Sequence, residues 1–429
     1  MPQKYSKTGV SIKERKNCRV SGERLVDLFS LGKLHVSNFL PLDADVKLEP
    51  VELKLCLAPK SGLVQLAHSA PADYMYTHYW YRSGTNASMT NELRQIAEST
   101  QTQMNLKKGE IFLDIGCNDG TLFKFVDPRI IRIGFDPTTN VGREAEEHAS
   151  LVIQDYFNYA AYKKSRYGNR KAKVVTSIAM FYDLEDPHVF VKNVSRILDK
   201  DGLWVIQMSY LPLMIRQLAF DNICHEHLEY YSLTSLKNLL DHHDFQIVDC
   251  QLNDVNGGSF RIYVRKNGAD PTKFATAPYR DVARHRVESI LVHEKTLGLD
   301  KKKIYFDFFK KIENLKKQTV SFIKKEHARG KTIWGYGAST KGNTLLQWFG
   351  LDNTLIEGMA ERSPKKFGHK TVGTNIPIYS EEEMRKRKPN YLLILPWHFI
   401  SEFKERESAY LKAGGKFIVP CPKFEIVSN

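Results

Sequence analysis

Between residues 110 and 265, short apolar, β-branched runs alternate with helical segments; the runs lie at 111–114, 131–135, 151–153, 174–177 and 203–207. Runs that are apolar at nearly every position are strands buried on both faces, and their alternation with helices predicts a parallel sheet covered on both sides. Two further runs, 246–250 and 259–264, predict a closing pair of strands. A second α/β unit follows, with strands at 332–337, 391–395 and 416–419. Upstream, 53–57 and 63–66 flank Pro59-Lys60-Ser61-Gly62 as a hairpin would. A helix is expected over 89–104, entered through the caps Asn86 and Ser88. Two long charged helices fill 275–328, separated near Gly298-Leu299-Asp300. The predicted class is α/β: a small β-rich module (1–75), an α/β domain (76–270), linking helices (271–330) and a second α/β domain (331–429), with no short repeat and no low-complexity segment.

The chain's 429 residues suit two or three domains. Hydrophobic and aromatic contents of 42% and 11% are enough to bury real cores. No window approaches ~18 uninterrupted apolar residues, so no membrane span is expected. The charged N-terminus lacks the apolar stretch of a secretory signal. Six scattered cysteines fit reduced thiols in a cytoplasmic protein better than a disulfide framework. The net charge of +14 favours anionic partners without choosing among them. Runs such as Lys301-Lys302-Lys303 are read as solvated helix faces.

The sharpest chemical signal is the strand 111–114 running into Asp114-Ile115-Gly116-Cys117-Asn118-Asp119-Gly120, with a helix expected from near Thr121. Glycines let the backbone turn sharply and approach a ligand, and a helix N-terminus offers free N–H groups. About twenty residues on, Asp136 ends the next strand, where a carboxylate can accept both hydroxyls of a ribose. Asp155, in Gln154-Asp155-Tyr156-Phe157, is placed to edge an adenine, and Ser177 ends the fourth strand. A dinucleotide site wants G-x-G-x-x-G for its pyrophosphate. Here an acid ends the strand; it would repel pyrophosphate but can hold the ammonium of an amino-acid moiety. That argues for S-adenosylmethionine (SAM) on Asp114, Gly116, Asn118, Asp119, Gly120, Asp136, Asp155 and Ser177.

Trp334-Gly335-Tyr336-Gly337-Ala338-Ser339-Thr340-Lys341-Gly342 is a second strand, glycine loop and helix start. With Lys341 it suits a diphosphate, or it is a purely structural turn. The densest cluster is Asp221 to Tyr231, containing His225-Glu226-His227. On an extended segment a spacing of two puts both imidazoles on one side. H-E-x-x-H zinc spacing is not met, which leaves general-base chemistry tuned by Glu226 or structural histidines. The segment Tyr79-Trp80-Tyr81-Arg82 either closes over the cofactor or packs an interface. Asn256-Gly257-Gly258-Ser259-Phe260-Arg261 marks a tight turn expected to bring backbone N–H groups and Arg261 to the site.

The chain resembles the three-domain, SAM-dependent sugar C-methyltransferases of deoxysugar pathways over nearly its whole length. The matching stretches are 61–66, 114–120, His225-Glu226-His227-Leu228, Asn256 to Ser259 with Arg261, Gly335-Tyr336-Gly337-Ala338 with Lys341-Gly342, and Gly373-Thr374-Asn375-Ile376-Pro377. The resemblance implies two Rossmann-like domains. It also implies a base that removes the proton α to the keto group of a nucleotide-linked 4-keto sugar, whose enolate attacks the SAM methyl group. By that match His227 is the base, with His225, Glu226 and Tyr81 beside it. Tyr79, Arg82, Asn256, Arg261, Gly335, Gly337 and Lys341 would hold the nucleotide-diphosphate sugar. The expected protein is a monomer or small homo-oligomer with no membrane or nucleic-acid partner.

Three departures stand out. The family's four-Cys zinc knuckle keeps Cys18, but Ser21, Ala58 and Ser61 replace other ligands and Cys56 is offset by two residues, so zinc is not expected. Cys224 stands where a Tyr is frequent. The segment Ala179 to Asp183 lacks a His, for which Tyr182 is the substitute at hand. These changes leave open another acceptor: a different carbon, a hydroxyl or an amine. An RNA or protein methyltransferase would need interleaved basic and aromatic positions, which are not found. A catalytically silent sugar-nucleotide-binding homologue is disfavoured by retention of Asp114, Gly116, Asp136 and His227.

Overall fold

The computed structural model describes residues 12–44, 49–76 and 79–429; the expectation for the charged N-terminus falls, for residues 1–11, outside them. The central sheet has seven strands in the order Phe245–Asn253, Ser259–Lys266, Leu198–Ser209, Ala172–Ile178, Ile111–Ile115, Ile131–Phe135, Leu151–Ile153. Only Ser259–Lys266 runs against its neighbours. Every residue of Ile111–Ile115 is buried, as expected of a strand covered on both faces. Strand order reverses between Ile111–Ile115 and Ala172–Ile178, which opens a crevice outside their carboxyl ends.

The C-terminal sheet has six strands: Ile378–Ser380, Met359–Glu361, Ile333–Tyr336, Tyr391–Ile394, Lys416–Val419 and Glu425–Val427. Its own reversal lies between Ile333–Tyr336 and Tyr391–Ile394. Both are the Rossmann-like sheets that the pattern of apolar runs predicts.

The hairpin of the N-terminal module forms, with Val51–Ala58 antiparallel to Leu63–Leu66 and Val26–Leu34 on the other side. A fourth strand comes from elsewhere: Glu229–Tyr230 pairs with the hairpin, Glu229 opposite Gln65 and Tyr230 opposite Val64. Phe39–Pro41 pairs in turn with His369–Thr371 of the C-terminal part. The module is thus stitched to the segment after His227 and to the second α/β unit.

The two charged helices are Ala277–Leu297 and Lys302–Ala328, broken at Gly298. In the second, Tyr305, Phe308, Ile312, Leu315, Thr319 and Ile323 are buried at helical spacing, so its lysines are left to the outer face. Phe309 stacks on Phe29 of the module, ring centroids 4.5 Å apart.

One expected element differs. In place of a helix after Gly120 there is a five-residue 3-10 turn, Thr121–Phe125. Leu122 and Phe123 are drawn into the core beneath the helix Ala87–Met104, and Pro128 disfavours helical geometry at the residue before it. Among the described residues no helix is long and apolar enough to cross a membrane. Among them, too, no three His, Cys, Asp or Glu side chains are grouped to hold a metal ion, and the six cysteines are free and buried.

Candidate active site

A cavity of about 820 Å³ opens on the carboxyl ends of both sheets. Its first wall is the glycine loop. Gly116 has φ +72°, in the left-handed region, and a Cβ there would stand 3.1 Å from Met180 Cγ. Asp136 Oδ2 accepts from the Asn118 amide at 2.9 Å while its other oxygen accepts from Thr138, so this buried carboxylate also shapes the loop. Asp114, at the strand end, accepts from Thr176 Oγ1 at 2.6 Å; burial pushes its carboxyl up to about 7. Asp155, Tyr156 and Phe157 edge the same wall, with Phe135, Ile178 and Met180 supplying apolar surface.

The other predicted cofactor residues lie outside the lining. Asp119 turns back to accept from Gly84 N (2.9 Å) and from Thr121, tying the segment 83–85 down. Ser177 Oγ accepts from Trp204 Nε1 inside the sheet. A Cβ at Gly120 would run into Ala145. These residues build the loop, and only the positions facing the cavity are placed to touch a ligand.

The remaining walls carry the strip 221–231. The expectation that His225 and His227 share a side is overturned. Their segment is a turn, with His227 N donating to Cys224 O at 3.2 Å, so the alternation of an extended strand does not apply. His225 Nε2 faces the carbonyl of Val51 at 3.0 Å inside the N-terminal module, and burial lowers its pKa to about 4. His227 lines the cavity, and burial, then the charge of Lys341, hold it well below the ordinary imidazole range, hence neutral. Tyr182 lies against His227, ring centroids 4.1 Å apart. Glu226 accepts from Thr340 Oγ1 at 3.3 Å across the two α/β units, and burial pushes it up to about 7.

Tyr79 and Tyr81 line the cavity, and Asn140 holds the Tyr79 backbone with two hydrogen bonds. Arg82 also lines it, but its guanidinium is spent on a forked pair with Glu144 (2.9–3.1 Å), which Lys365 joins from the C-terminal part. Asn256 reaches the cavity. Arg261 does not: it is buried beside the sheet, paired with Glu92 and donating to Gln207 Oε1 at 2.8 Å, because its strand position points into the sheet's covering layer. Gly335 is likewise internal; a Cβ there would collide with Met359 Sδ. Gly337 lines the cavity at φ +85°, and Lys341 lines it with Nζ donating to Asn222 Oδ1 at 2.7 Å.

Several lining groups carry no signal in the sequence: Tyr76, Asp183, His398, Lys366 and Arg406. Burial, then Glu226, drive the Asp183 carboxyl far above its usual range. His398 follows the strand Tyr391–Ile394 beside the second strand reversal, a position whose topology alone marks it.

The first wall fits SAM. Asp114 and Asp136 are carboxylates of the kind an ammonium and ribose hydroxyls would need, Gly116 leaves room for close backbone approach, and Phe157 and Met180 line an apolar flank.

Comparison with known proteins agrees. The methyltransferase domain model matches residues 85–249, and the C-methyltransferase C-terminal domain model matches 254–422. The C-methyltransferase NovU of Streptomyces niveus is 29% identical over 419 residues, 96% of each chain. Among solved structures, a SAM-dependent methyltransferase from Clostridium acetobutylicum ATCC 824 covers 42% of this chain and 92% of its own at 14% identity and a TM-score of 0.34. The plantazolicin methyltransferase BpumL covers 41% and 82% at 12% identity and a TM-score of 0.33. With the two models matching in tandem and NovU aligned over 96% of each chain, the protein is a class I, SAM-dependent methyltransferase whose C-terminal part is similar to the C-methyltransferase C-terminal domain.

Proposed function

We propose that this enzyme methylates a carbon of a nucleotide-linked keto sugar. The observation that carries the reading is the shared cavity, lined by neutral His227, by the acidic loop of one sheet and by the loop with Lys341 on the other. The cofactor, when bound, supplies an electrophilic methyl group. His227 removes the proton α to the ketone; a neutral imidazole can take a proton, and a charged one cannot. Tyr182 packs the imidazole in place, and Asp183, held far above its usual range by burial, can donate a hydrogen bond to a sugar oxygen, with Glu226, raised to about 7, beside it. Gly337 and Lys341 border the part of the cavity where a diphosphate would meet a cation at a helix start, with Lys366 and Arg406 nearby in ion pairs with Glu361 and Glu381. NovU, matched over 96% of its length, is itself a C-methyltransferase.

The test is incubation with thymidine- and guanosine-diphosphate 4-keto-6-deoxy sugars and methyl-labelled SAM, read by mass spectrometry and by NMR of the product carbon. One added label on carbon is expected. His227→Ala should cut turnover about 1,000-fold while SAM affinity by calorimetry stays within a factor of two or so. Unchanged turnover in that variant, or a label on oxygen or nitrogen, overturns the reading.

A further inference from the structure

Carbanion chemistry next to a ketone needs a base, and it also needs something to hold the negative charge that arrives on the ketone oxygen. The base lies on the central α/β unit. The second requirement points across the cavity. Lys341, at the start of the helix Thr340–Phe349, reaches over and donates to Asn222 Oδ1 at 2.7 Å. That amide is itself oriented by its Nδ2 donating to Ala219 O at 3.1 Å. Asn222 also presents its backbone carbonyl to the imidazole of His227. One buried residue therefore faces both groups: its carbonyl lies toward the imidazole, and its side chain takes one of the three N–H donors of the lysine.

The lysine's charge is also uncommitted. It forms no ion pair among the described residues, although its field reaches Asp183, Asp221, Glu226, His227 and His398 around it. Burial drives the Asp183 carboxyl far above its usual range and pushes Asp221 and Glu226 upward as well, which loosens the hold of these acids on the ammonium at this end of the cavity. A lysine whose task was only to grip a diphosphate would gain nothing from being pinned to the residue that faces the base.

We infer that Lys341 is a catalytic residue, the electrophile that stabilises the enolate, supplied to the His227 base by the C-terminal domain. The inference rests on the keto-sugar reading above. His227 takes the α-proton, the C–H pair becomes the carbon–carbon double bond, and the carbonyl π pair moves to oxygen beside the Lys341 ammonium. As the new carbon–carbon bond to the methyl group forms, the pair on oxygen returns to the carbonyl and the sulfonium C–S pair leaves on sulfur. The ammonium keeps its proton throughout, and the proton on His227 passes to solvent.

The experiment is exchange of the α-proton in D2O, followed by NMR with the same two keto-sugar nucleotides and S-adenosylhomocysteine in place of SAM, alongside steady-state kinetics. Wild type should exchange. Lys341→Met should lose about 100-fold in both exchange rate and kcat with KM for the sugar nucleotide changed only a few-fold, and Lys341→Arg, which keeps the charge, should recover at least a tenth of wild-type exchange. Melting temperature and SAM affinity establish that each variant is folded, and Lys341→Gln serves if the Met variant is not. Wild-type exchange that persists in folded Lys341→Met, or a loss confined to KM, overturns the role of Lys341 and leaves the keto-sugar reading standing. Failure of wild type to exchange any substrate that His227→Ala also ignores overturns the keto-sugar reading itself.

Discussion

The two glycine loops differ in sign although the same topology produces both. Each follows a central strand at a reversal of strand order, Ile111–Ile115 in one sheet and Ile333–Tyr336 in the other, and each carries a left-handed glycine where the chain leaves the strand. The first is surrounded by Asp114, Asp136 and Asp155 and continues into a short 3-10 turn. The second is followed by a full α-helix capped by Ser339, which accepts from Gly342 N, and carries Lys341 with Lys366 close behind. A regular helix N-terminus with cations favours negative charge, whereas a carboxylate-lined bend with no true helix behind it favours positive charge. The fold supplies two crevices of unlike charge; on the proposed reading the first takes the sulfonium amino acid and the second the diphosphate.

The bluntest way to break that division is to spoil one loop at a time. Valine at position 116 or 337 would place a β-branched residue at a φ of +72° or +85°, which such residues avoid, and a Cβ at Gly337 would stand only 2.6 Å from Pro396 Cγ. Gly116→Val should weaken SAM by about 100-fold and leave sugar-nucleotide affinity nearly intact, while Gly337→Val does the reverse. Calorimetry with each ligand reads the cross. If either substitution weakens both ligands equally, the loops are not separate sites.

A smaller effect is expected from the carboxylate alone. Asp136→Asn should cost about 30-fold in SAM affinity, the scale of hydrogen bonds to a charged group, without touching the sugar nucleotide. Because Asp136 also receives the Asn118 amide at 2.9 Å, a SAM affinity that stays unchanged would reduce it to a strut for the loop.

Much of this was legible in the sequence because it depends on local pattern. The strands of the central sheet, three of the six in the second sheet, the hairpin at 53–66 and the break at Gly298 were read from apolar runs and turn residues, whose signal lies within a few positions. Asp114, Gly116 and Asp136 stood out because strand, bend and acid follow one another along the chain. What failed was long-range. His225 turned away because the strand Glu229–Tyr230 joins the N-terminal sheet and the preceding residues must bend to reach it, a pairing set by residues more than 160 positions earlier. Arg261 looked exposed to the site until Glu92, from a distant helix, claimed it. Asp183, Lys366 and Arg406 carry no motif, and only the closing of the second sheet over the first brings them to one cavity.

The finest probe of the contrast is pH. In the free enzyme, burial holds the Asp114 carboxyl up to about 7, against the downward pull of its hydrogen bond from Thr176. Pairing with an ammonium requires the ionised form, so the free site must give up a proton before SAM's amino-acid end can settle there. The sign follows: apparent SAM affinity falls as pH drops through 7, by about tenfold between pH 8 and pH 6, because the ionised fraction of Asp114 falls by about that factor across a pKa of about 7. Asp114→Asn should bind more weakly but with a flat profile over the same window, and the sugar nucleotide, held where no such carboxylate must ionise, should lack this slope in wild type. Calorimetry in buffers of different ionisation enthalpy gives a second reading of the same event, since one proton should be released on SAM binding near pH 6 and almost none at pH 8. A flat wild-type profile would mean that Asp114 does not meet the ammonium, and the acidity of the first loop would then have to act through Asp136 and Asp155 alone.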